Sequence, residues 1–534
     1  MRWPAALPAL VPVLLLPAPA MAQQGFLPLG RTVDAPYTAL MHRKDVAAHS
    51  AIRPYLWEDV RALPGADSAA PPAWRPWLDH LGDPARRWHG GPLLDAQAGA
   101  SFGEDEALKY RGGAGAWLGW NAAPRFTLGL DGRVWQERLP GYLARFAQAQ
   151  KVVPGEGYAY ALDDAIVHYD WNGYADYKAG EYFHFTLGKG RTFLGEGRRS
   201  LFLGDGATGY PYLRITTTAW HLRYMNLFTL MRDLPGGRSP LSAPSRKFAS
   251  IHYLSWNVSK RVNAGFFEAI VWQDNDPRYP RGFDLSYLNP VIFLRPVEFG
   301  LGSPDNALMG IALNVKAGRQ TLLYSQVALD EFLLNHVRAG DGWYGNKQGV
   351  QVGAIAHDTF GRKGLMLRAE VNYARPFMYA HTDRRQNYAH EGEALAHPYG
   401  AGFLEALLEG EWRKGPWILG TTASIAALGQ DTAQAWDHGN YGNNIFLSDS
   451  DRPLGPDGKP LVYGFWVGKP SQATVFQNEL RAGRLLAPAS GLLLELAWTY
   501  RAQVLGHGPA QATNYLRFGI SAHLHDRHTF QVVR

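Results

Sequence analysis

Aromatic rings, guanidinium groups and side-chain oxygens recur together in segments that we predict to be long loops between strands. Sugars are bound when rings stack on their apolar faces while a few polar groups form hydrogen bonds with their hydroxyls. The candidate polysaccharide-binding residues are Arg281, Asp284, Tyr287, Asn289, Arg295, Glu298, Arg338, Trp343, Tyr344, Arg375 and Tyr379. A second interpretation has about equal weight, in which the rings only pack the loops against one another.

Four arginines among the candidates suit an acidic glycan. They are Arg281, Arg295, Arg338 and Arg375. A guanidinium binds a carboxylate through two parallel hydrogen bonds, so each of them is a natural partner for an acidic sugar.

The stretch 281–310 is predicted to be an elaborate connector and not a plain strand. It contains Pro290, Pro296 and Pro304, and each proline removes a backbone donor from a sheet ladder. Segments on both sides alternate apolar and polar residues at period two. The stretch therefore joins two strands as a loop that faces the exterior or folds back inside.

Catalytic and metal-binding chemistry has little support in the sequence. The adjacent carboxylates Asp163–Asp164 and Asp330–Glu331 point to opposite faces of an extended chain, so neither pair forms a dyad. The 18 histidines show no H-x-x-x-H or H-E-x-x-H spacing. We expect no catalytic residues, no metal and no cofactor, although a hydrolase site assembled only in space remains an alternative.

The composition indicates strands that are apolar on one face only. Aromatic residues make up 13% of the chain, 59 of its 534 residues are glycine, and the mean hydropathy is only −0.24. This combination is typical of a bacterial outer-membrane barrel. The net charge of +6 is mild and the basic residues are dispersed, so we expect no binding to nucleic acid.

The N-terminus has the form of a secretory signal peptide, predicted to span residues 1–22. Arg2 precedes an apolar run that is broken by prolines, and Ala20-Met21-Ala22 provides small residues for cleavage. The run is too short and too rich in proline for a membrane-spanning helix. The sequence predicts export and a location in the outer membrane of a Gram-negative cell.

From Gly113 onward the alternation is persistent, and it predicts an all-β, antiparallel transmembrane barrel over 113–534. In one clear case Leu492, Leu494 and Leu496 share one face while Glu495 occupies the other. Such a strand faces lipid and lumen in turn. We count about 16 strands, within a range of 14 to 18.

The connectors in the C-terminal half alternate between short basic turns and long polar loops, as in barrels inserted from one side of a membrane. Residues 23–112 do not alternate and are predicted to form a partly helical segment that lies in the periplasm or plugs the barrel. The parity of the strands places 189–211 on the periplasmic side or folded inward.

Eight short motifs also occur together in one known family. They run from His49 to Tyr55, Gly195 to Ser200, Asp284 to Pro290, Arg295 to Phe299, Gly302 to Ala307, Leu329 to Phe332, Arg338 to Trp343 and Ala396 to Ala401. The chain resembles the capsule-assembly Wzi family of outer-membrane barrels, and more specifically the RemB-type gliding-motility proteins of Bacteroidota.

The resemblance implies a non-enzymatic barrel that binds or anchors surface polysaccharide and supports capsule assembly, gliding motility or surface adhesion. The expected partners are surface polysaccharide, outer-membrane lipid and periplasmic or surface proteins of motility or export. The alternative function is a porin for small solutes. A filled lumen would distinguish the two functions, because a porin needs an open channel and a binding protein does not.

Overall fold

Eighteen antiparallel strands close into a barrel in the part of the chain that the computed structural model describes. The described residues are 25–83, 85–233, 245–275, 282–291, 305–431, 439–522 and 524–527. The predicted signal peptide lies outside them. Within these ranges, no helix has both the length and the apolar character needed to cross a bilayer.

The barrel strands are numbered here in chain order. They are β1 (Trp88–Gly103), β2 (Ala107–Ala123), β3 (Phe126–Arg138), β4 (Ala165–Ala179), β5 (Phe183–Gly190), β6 (Tyr210–Ala219), β7 (Leu222–Asp233), β8 (Ser245–Asn257), β9 (Val262–Gln273), β10 (Asn306–Ala317), β11 (Thr321–Leu329), β12 (Gln348–His357), β13 (Leu365–Ala374), β14 (Phe403–Lys414), β15 (Trp417–Gln430), β16 (Ser471–Ala487), β17 (Leu492–Leu505) and β18 (Gln511–Ala522). Each strand pairs with its sequence neighbour, and β18 pairs with β1 through Asp95 and Ser521. Closure leaves no free sheet edge.

The strand count is two above the central prediction and at the upper limit of its range. The start of the barrel was predicted too late, because β1 begins at Trp88 and β2 at Ala107, both before Gly113. These strands are rich in glycine and alanine, which carry too little side chain to make the alternation visible. The predicted connector 281–310 was also too long at its C-terminal end, because β10 begins at Asn306.

The alternation of apolar and polar residues along the strands gives the barrel an apolar outer face and a polar lumen. On β17, Leu496 and Trp498 are exposed, whereas Glu495, Thr499 and Arg501 are buried inside. The outer face is thus apolar and the inner face polar, as the sequence predicted for this strand and as a barrel in a bilayer requires.

The two ends of the barrel differ. At the short-turn end the connections are brief, as at 124–125, 318–320 and 415–416, whereas the loop end carries long connections. The segment 191–209 joins β5 to β6 at the loop end, and of the two predicted placements, on the periplasmic side or folded inward, the inward folding is observed.

The N-terminal segment, residues 25–82, lies inside the barrel at the short-turn end and is called the plug below. It contains three α-helices, namely α1 (Arg31–Met41), α2 (Trp57–Ala62) and α3 (Arg75–Leu81). Trp74 Nε1 donates to the carbonyl of Gly415, which lies in a short turn, at 3.0 Å. Trp57, Trp74 and Trp77 pack in one apolar cluster with wall residues of β15, β16 and β17.

The middle of the lumen is filled by the connection 191–209. Its strand Phe193–Leu194 pairs with Ile52–Arg53 of the plug. Farther along, the Gly204 amide donates to the carbonyl of Leu395 at 2.7 Å, and Leu395 belongs to the long loop 375–402. Plug, inner connection and long loop therefore form a continuous packed column.

The last described residues also turn into the lumen. His525 Nε2 lies 3.0 Å from Asp131 Oδ2, and Arg527 Nη1 donates to Gln97 Oε1 at 2.7 Å. The amide of Arg31 in the plug donates to Asp526 Oδ1 at 2.9 Å. The C-terminal residues thus connect the plug to the wall.

The remaining described elements lie in the connections. Two further helices are α4 (Gly141–Gln150) and α5 (Leu334–Ala339). The short strands are Val152–Val153, Gly157–Tyr158, Tyr160–Leu162, Ala389–His390 and Glu393–Ala394, and the 3₁₀ turns are Ala66–Ser68, Leu285–Leu288, Thr359–Gly361, Arg384–Gln386 and Asp449–Asp451.

Candidate functional site

A cavity of about 520 Å³ opens at the loop end, and we call it the rim cavity. Its walls come from α4, from residues 392–400, 429–431 and 443–447, and from the ends of β17 and β18. Arg145, Asn444 and Gln511 line it and are exposed, so the cavity communicates with solvent. Its volume lies within the range of small-molecule binding sites.

Four aromatic rings line the rim cavity, and they are Tyr142, Phe146, Tyr399 and Phe446. Tyr142 and Phe146 are four residues apart on α4 and therefore lie on one helix face. Leu143 and Ala147 of the helix pack in an apolar cluster that also contains Tyr142 and contacts Phe146. Phe146 and Phe446 are half-buried and present ring surface to the cavity.

Two guanidinium groups lie among the rings. Arg501 stands over the Tyr142 ring at 5.0 Å from its centroid, and its Nη2 donates to Gln503 Oε1 at 2.8 Å. Arg145 pairs with Glu104 at 2.8 Å at the outer margin. The rings and charges together form an amphipathic lining with several amide side chains.

The two carboxylates of the lining hold the loops in place. Glu393 accepts hydrogen bonds from the Gly155 amide at 2.7 Å and from both the amide and the hydroxyl of Thr208 at 2.8 Å. Burial raises the pKa of Glu393 to about 7. Asp431 accepts from the amides of Tyr441 and Asn444 at 2.8 and 3.0 Å.

Of the predicted binding residues that the structure describes, none lines the rim cavity. Tyr287 and Tyr379 are fully buried, so neither ring can meet a ligand in this structure. The Tyr287 hydroxyl donates to Asp305 at 2.6 Å, and the Tyr379 hydroxyl donates to the carbonyl of Leu201 at 2.8 Å. In this structure both rings pack within buried apolar clusters.

Asp284 and Asn289 flank the turn Leu285–Leu288, away from the rim cavity. Asp284 Oδ1 accepts from the Ser286 amide at 2.9 Å, and Asn289 Oδ1 accepts from the Val291 amide at 3.0 Å. Both side chains shape the turn. The predicted residues Arg281, Arg295 and Glu298 lie outside the described residues.

The other four predicted residues gather around the connection between β11 and β12. Trp343 stacks on the His336 ring with centroids 4.6 Å apart, and Arg452 lies over the Tyr344 ring at 3.5 Å. Arg375 is buried and its Nη2 donates to the carbonyl of Phe465 at 3.1 Å. Arg338 on α5 is exposed. The structure thus unites these residues at a second location.

Sequence reasoning missed the rings and arginines of the rim cavity. The one local signal was the stretch Gly141–Gln150, whose Tyr142, Phe146 and Arg145 follow Pro140 at helical spacing inside a region assigned to strands. Tyr399, Phe446 and Arg501 lie in three distant segments and carry no local signal. Only the closure of the barrel brings them together.

A buried serine, glutamate and histidine meet in the lumen, but their order does not suit nucleophilic catalysis. Ser50 Oγ donates to Glu196 Oε1 at 2.6 Å, and His42 Nε2 lies 3.1 Å from Glu196 Oε2. The carboxylate therefore separates the hydroxyl from the imidazole, whereas a serine nucleophile needs the imidazole as its direct partner.

Glu137, Glu156 and His168 lie close enough together to suggest a metal site. However, Arg111 Nη1 donates to Glu137 at 3.0 Å and to Glu156 at 2.8 Å. The guanidinium already neutralises the carboxylates that a cation would need. This group is a buried ion-pair network that joins the wall to the connection after α4.

The fold has known counterparts. Over 92% of this chain and 98% of the other, the structure is similar to Wzi of Escherichia coli, an outer-membrane protein involved in group 1 capsule assembly and a carbohydrate-binding β-barrel, with a TM-score of 0.56 and 12% identity. OprD of Pseudomonas aeruginosa aligns with a TM-score of 0.43 and 9% identity, over 81% of this chain and 94% of OprD. OccK8 (OprE) of the same species aligns with a TM-score of 0.42 and 9% identity, over 81% of this chain and 97% of OccK8. No family model and no curated protein matches the sequence.

Proposed function

We propose that this chain is a non-enzymatic outer-membrane barrel that binds surface polysaccharide in the rim cavity. The observation that carries the proposal is the cavity itself, where four rings and two guanidinium groups face a space of about 520 Å³ at the loop end. Rings provide stacking surfaces for sugars, and arginine and amide groups provide hydrogen bonds.

The proposed location in the outer membrane is supported by the apolar outer face and the polar inner face of the barrel wall. The apolar outer belt suits a bilayer, and in such barrels the long loops lie outside the cell and the short turns in the periplasm. The rim cavity would then face the cell surface. The shared fold with Wzi supports this setting. Capsule assembly and gliding motility are the two surface processes that the sequence resemblance suggests, with outer-membrane lipid and periplasmic or surface motility or export proteins as further partners.

The filled lumen favours binding over conduction. The plug packs against the wall at the short-turn end, the connection 191–209 occupies the middle, and residues 524–527 lie beside them. A porin needs a continuous aqueous path, and this column would have to move to provide one. The rim cavity needs no such movement.

The test is equilibrium binding of the detergent-folded protein to polysaccharide extracted from the surface of the source organism. Wild type is compared with a Phe146→Ala/Phe446→Ala variant, and Trp343→Ala/Tyr344→Ala is the matched control at the second location. We expect saturable binding that the first variant weakens roughly tenfold or more and the control leaves unchanged. Absence of binding by folded wild type, or weakening by the control variant alone, would refute the proposal.

A further inference from the structure

Two segments at the loop end expose apolar side chains that the glycan site does not use. Phe332, Leu333 and Leu334 at the start of α5 are 42 to 51% exposed, and Tyr463 and Trp466 of the second segment are 53 and 40% exposed. We call the surface formed by 332–337 and 461–466 the apolar lip. An exposed apolar patch of this kind indicates a surface that contacts another protein or a membrane.

Backbone hydrogen bonds join the two segments into one surface. The amide of Tyr344 donates to the carbonyl of Val462 at 3.0 Å, and the amide of Gly464 donates to the carbonyl of Asp341 at 3.1 Å. Across the junction the His336 and Tyr463 rings lie 5.9 Å apart. The lip is therefore a fixed surface.

The lip continues the wall of the barrel. The ladder between β11 and β12 ends at Leu329 and Gln348, but the pairing extends beyond it, since the Asp330 amide donates to the carbonyl of Lys347 and the Lys347 amide donates to that of Glu331, both at 2.9 Å. Lys347 points inward and is fully buried.

The outer side of this wall below the lip is mostly apolar. Leu323 on β11 and Val350 and Val352 on β12 are exposed outer-face residues. Since Phe332 follows β11 by three positions, the exposed apolar surface of the belt leads into the lip. The lip is the upward extension of a lipid-facing wall.

We propose that the apolar lip is immersed in the outer leaflet of the membrane, where it contacts lipid acyl chains. Tyr463 and Trp466 have the rings that favour the boundary between acyl chains and headgroups. The exposed Arg338 on α5 can extend its side chain to the anionic headgroups above. This interaction requires the barrel to be in a bilayer but does not depend on the glycan site.

The chain contains no cysteine, which allows a direct test by single-site labelling. Leu333→Cys and Val337→Cys each place a polarity-sensitive fluorophore on the lip. Leu408→Cys, on an exposed outer-face position of β14, is the control for lipid, and Lys459→Cys, on an exposed loop, is the control for water. The labelled proteins are reconstituted into phospholipid vesicles whose acyl chains carry nitroxide quenchers.

We expect the fluorescence of both lip labels to be quenched at least about half as strongly as that of the Leu408 label, and far more than that of the Lys459 label. Quenching at both lip positions no greater than at Lys459 would overturn the proposal. So would shielding that grows with protein concentration and is insensitive to the lipid quencher, because a second copy of the chain would then cover the lip. Altered mobility on unboiled gels verifies that each variant is folded.

Discussion

The two ends of this barrel are closed by different means, and the difference shows where a ligand can bind. At the short-turn end, helices fill the lumen and charged side chains of the plug pair with charged side chains of the wall. At the loop end, separate loops meet around one buried lysine and leave the rim cavity between them. Under the proposed function, the packed end closes the lumen and the end assembled from loops binds the glycan.

At the short-turn end the contacts of α2 are the clearest example. Arg223 Nη1 and Nη2 donate hydrogen bonds to the two carboxylate oxygens of Asp59 at 2.5 and 2.7 Å. The Glu58 carboxylate forms hydrogen bonds with Lys178 at 2.5 Å and with His184 at 3.0 Å. Burial acts to raise the pKa of Glu58, but hydrogen bonds from His184 and Lys178 outweigh it and lower the pKa to about 2.

At the loop end the corresponding role belongs to Lys347. Its Nζ lies 3.2 Å from Glu331 Oε1 and 3.1 Å from Asp449 Oδ2, and it donates to the carbonyl of Ala380 at 3.3 Å. One cation thus connects three loops.

The largest effect is expected from Lys347→Met, which should loosen the loop end. Removing the cation leaves the buried Asp449 carboxylate without its charge partner, at a cost of about 3 to 5 kcal/mol. Limited proteolysis should cut the loops 375–402 and 439–470 much faster. Lys459→Met, at an exposed site, is the control, and equal cleavage of the two variants would contradict the role given to Lys347.

A smaller effect is expected from Asp59→Ala at the opposite end. The change leaves Arg223 buried without its carboxylate and should cost roughly 3 kcal/mol of plug docking. Single-channel recordings should then show openings that wild type lacks. The exposed pair Arg43–Asp45 provides the control Asp45→Ala, which should not change conductance. A silent Asp59→Ala channel with an unchanged plug would refute this account of closure.

The pH response should have opposite signs at the two ends. The folded pKa of Glu393 is raised to about 7, so its unfavourable contribution is absent below the ordinary value of 4.5 and develops as pH rises to 7. The folded pKa of Glu58 is lowered, so its stabilisation is present above 4.5 and is lost as pH falls toward 2.

Amide hydrogen exchange, corrected for intrinsic rates, should therefore show the loop 389–400 opening less at pH 5 than at pH 7.5, by about tenfold. Glu393→Gln should abolish that difference. In α2 the same pH change should have little effect. An unchanged pH response in Glu393→Gln would rule out this carboxyl as its source.

Much of the fold could be predicted from the sequence because alternation is a local property. The outward Leu496 and inward Glu495 of β17 were assigned correctly from spacing alone. Strand β1 and the first part of β2 were missed because glycine and alanine leave no contrast between faces. The inward course of 191–209 has no period, because its residues pack against the wall and the plug and, apart from the two-residue strand Phe193–Leu194, lie outside any sheet.

The candidate site could not be predicted in the same way. Tyr379 and Tyr399 both lie in one long loop and both belong to the same buried apolar cluster, yet of the two Tyr399 alone lines the rim cavity. Nothing in their local sequence separates these roles. The two positions differ through contacts with Leu201 and with residues 443–447, and these contacts exist only after the barrel has closed.

The most direct test of the central claim is a map of where polysaccharide protects the folded protein from amide hydrogen exchange. The extracted surface polysaccharide is added to the detergent-folded chain, and exchange is compared with the free protein. The account predicts protection of α4 and of residues 398–400 and 443–446, which line the rim cavity. Protection confined to α5 and 341–344, or no protection under saturating conditions, would contradict it.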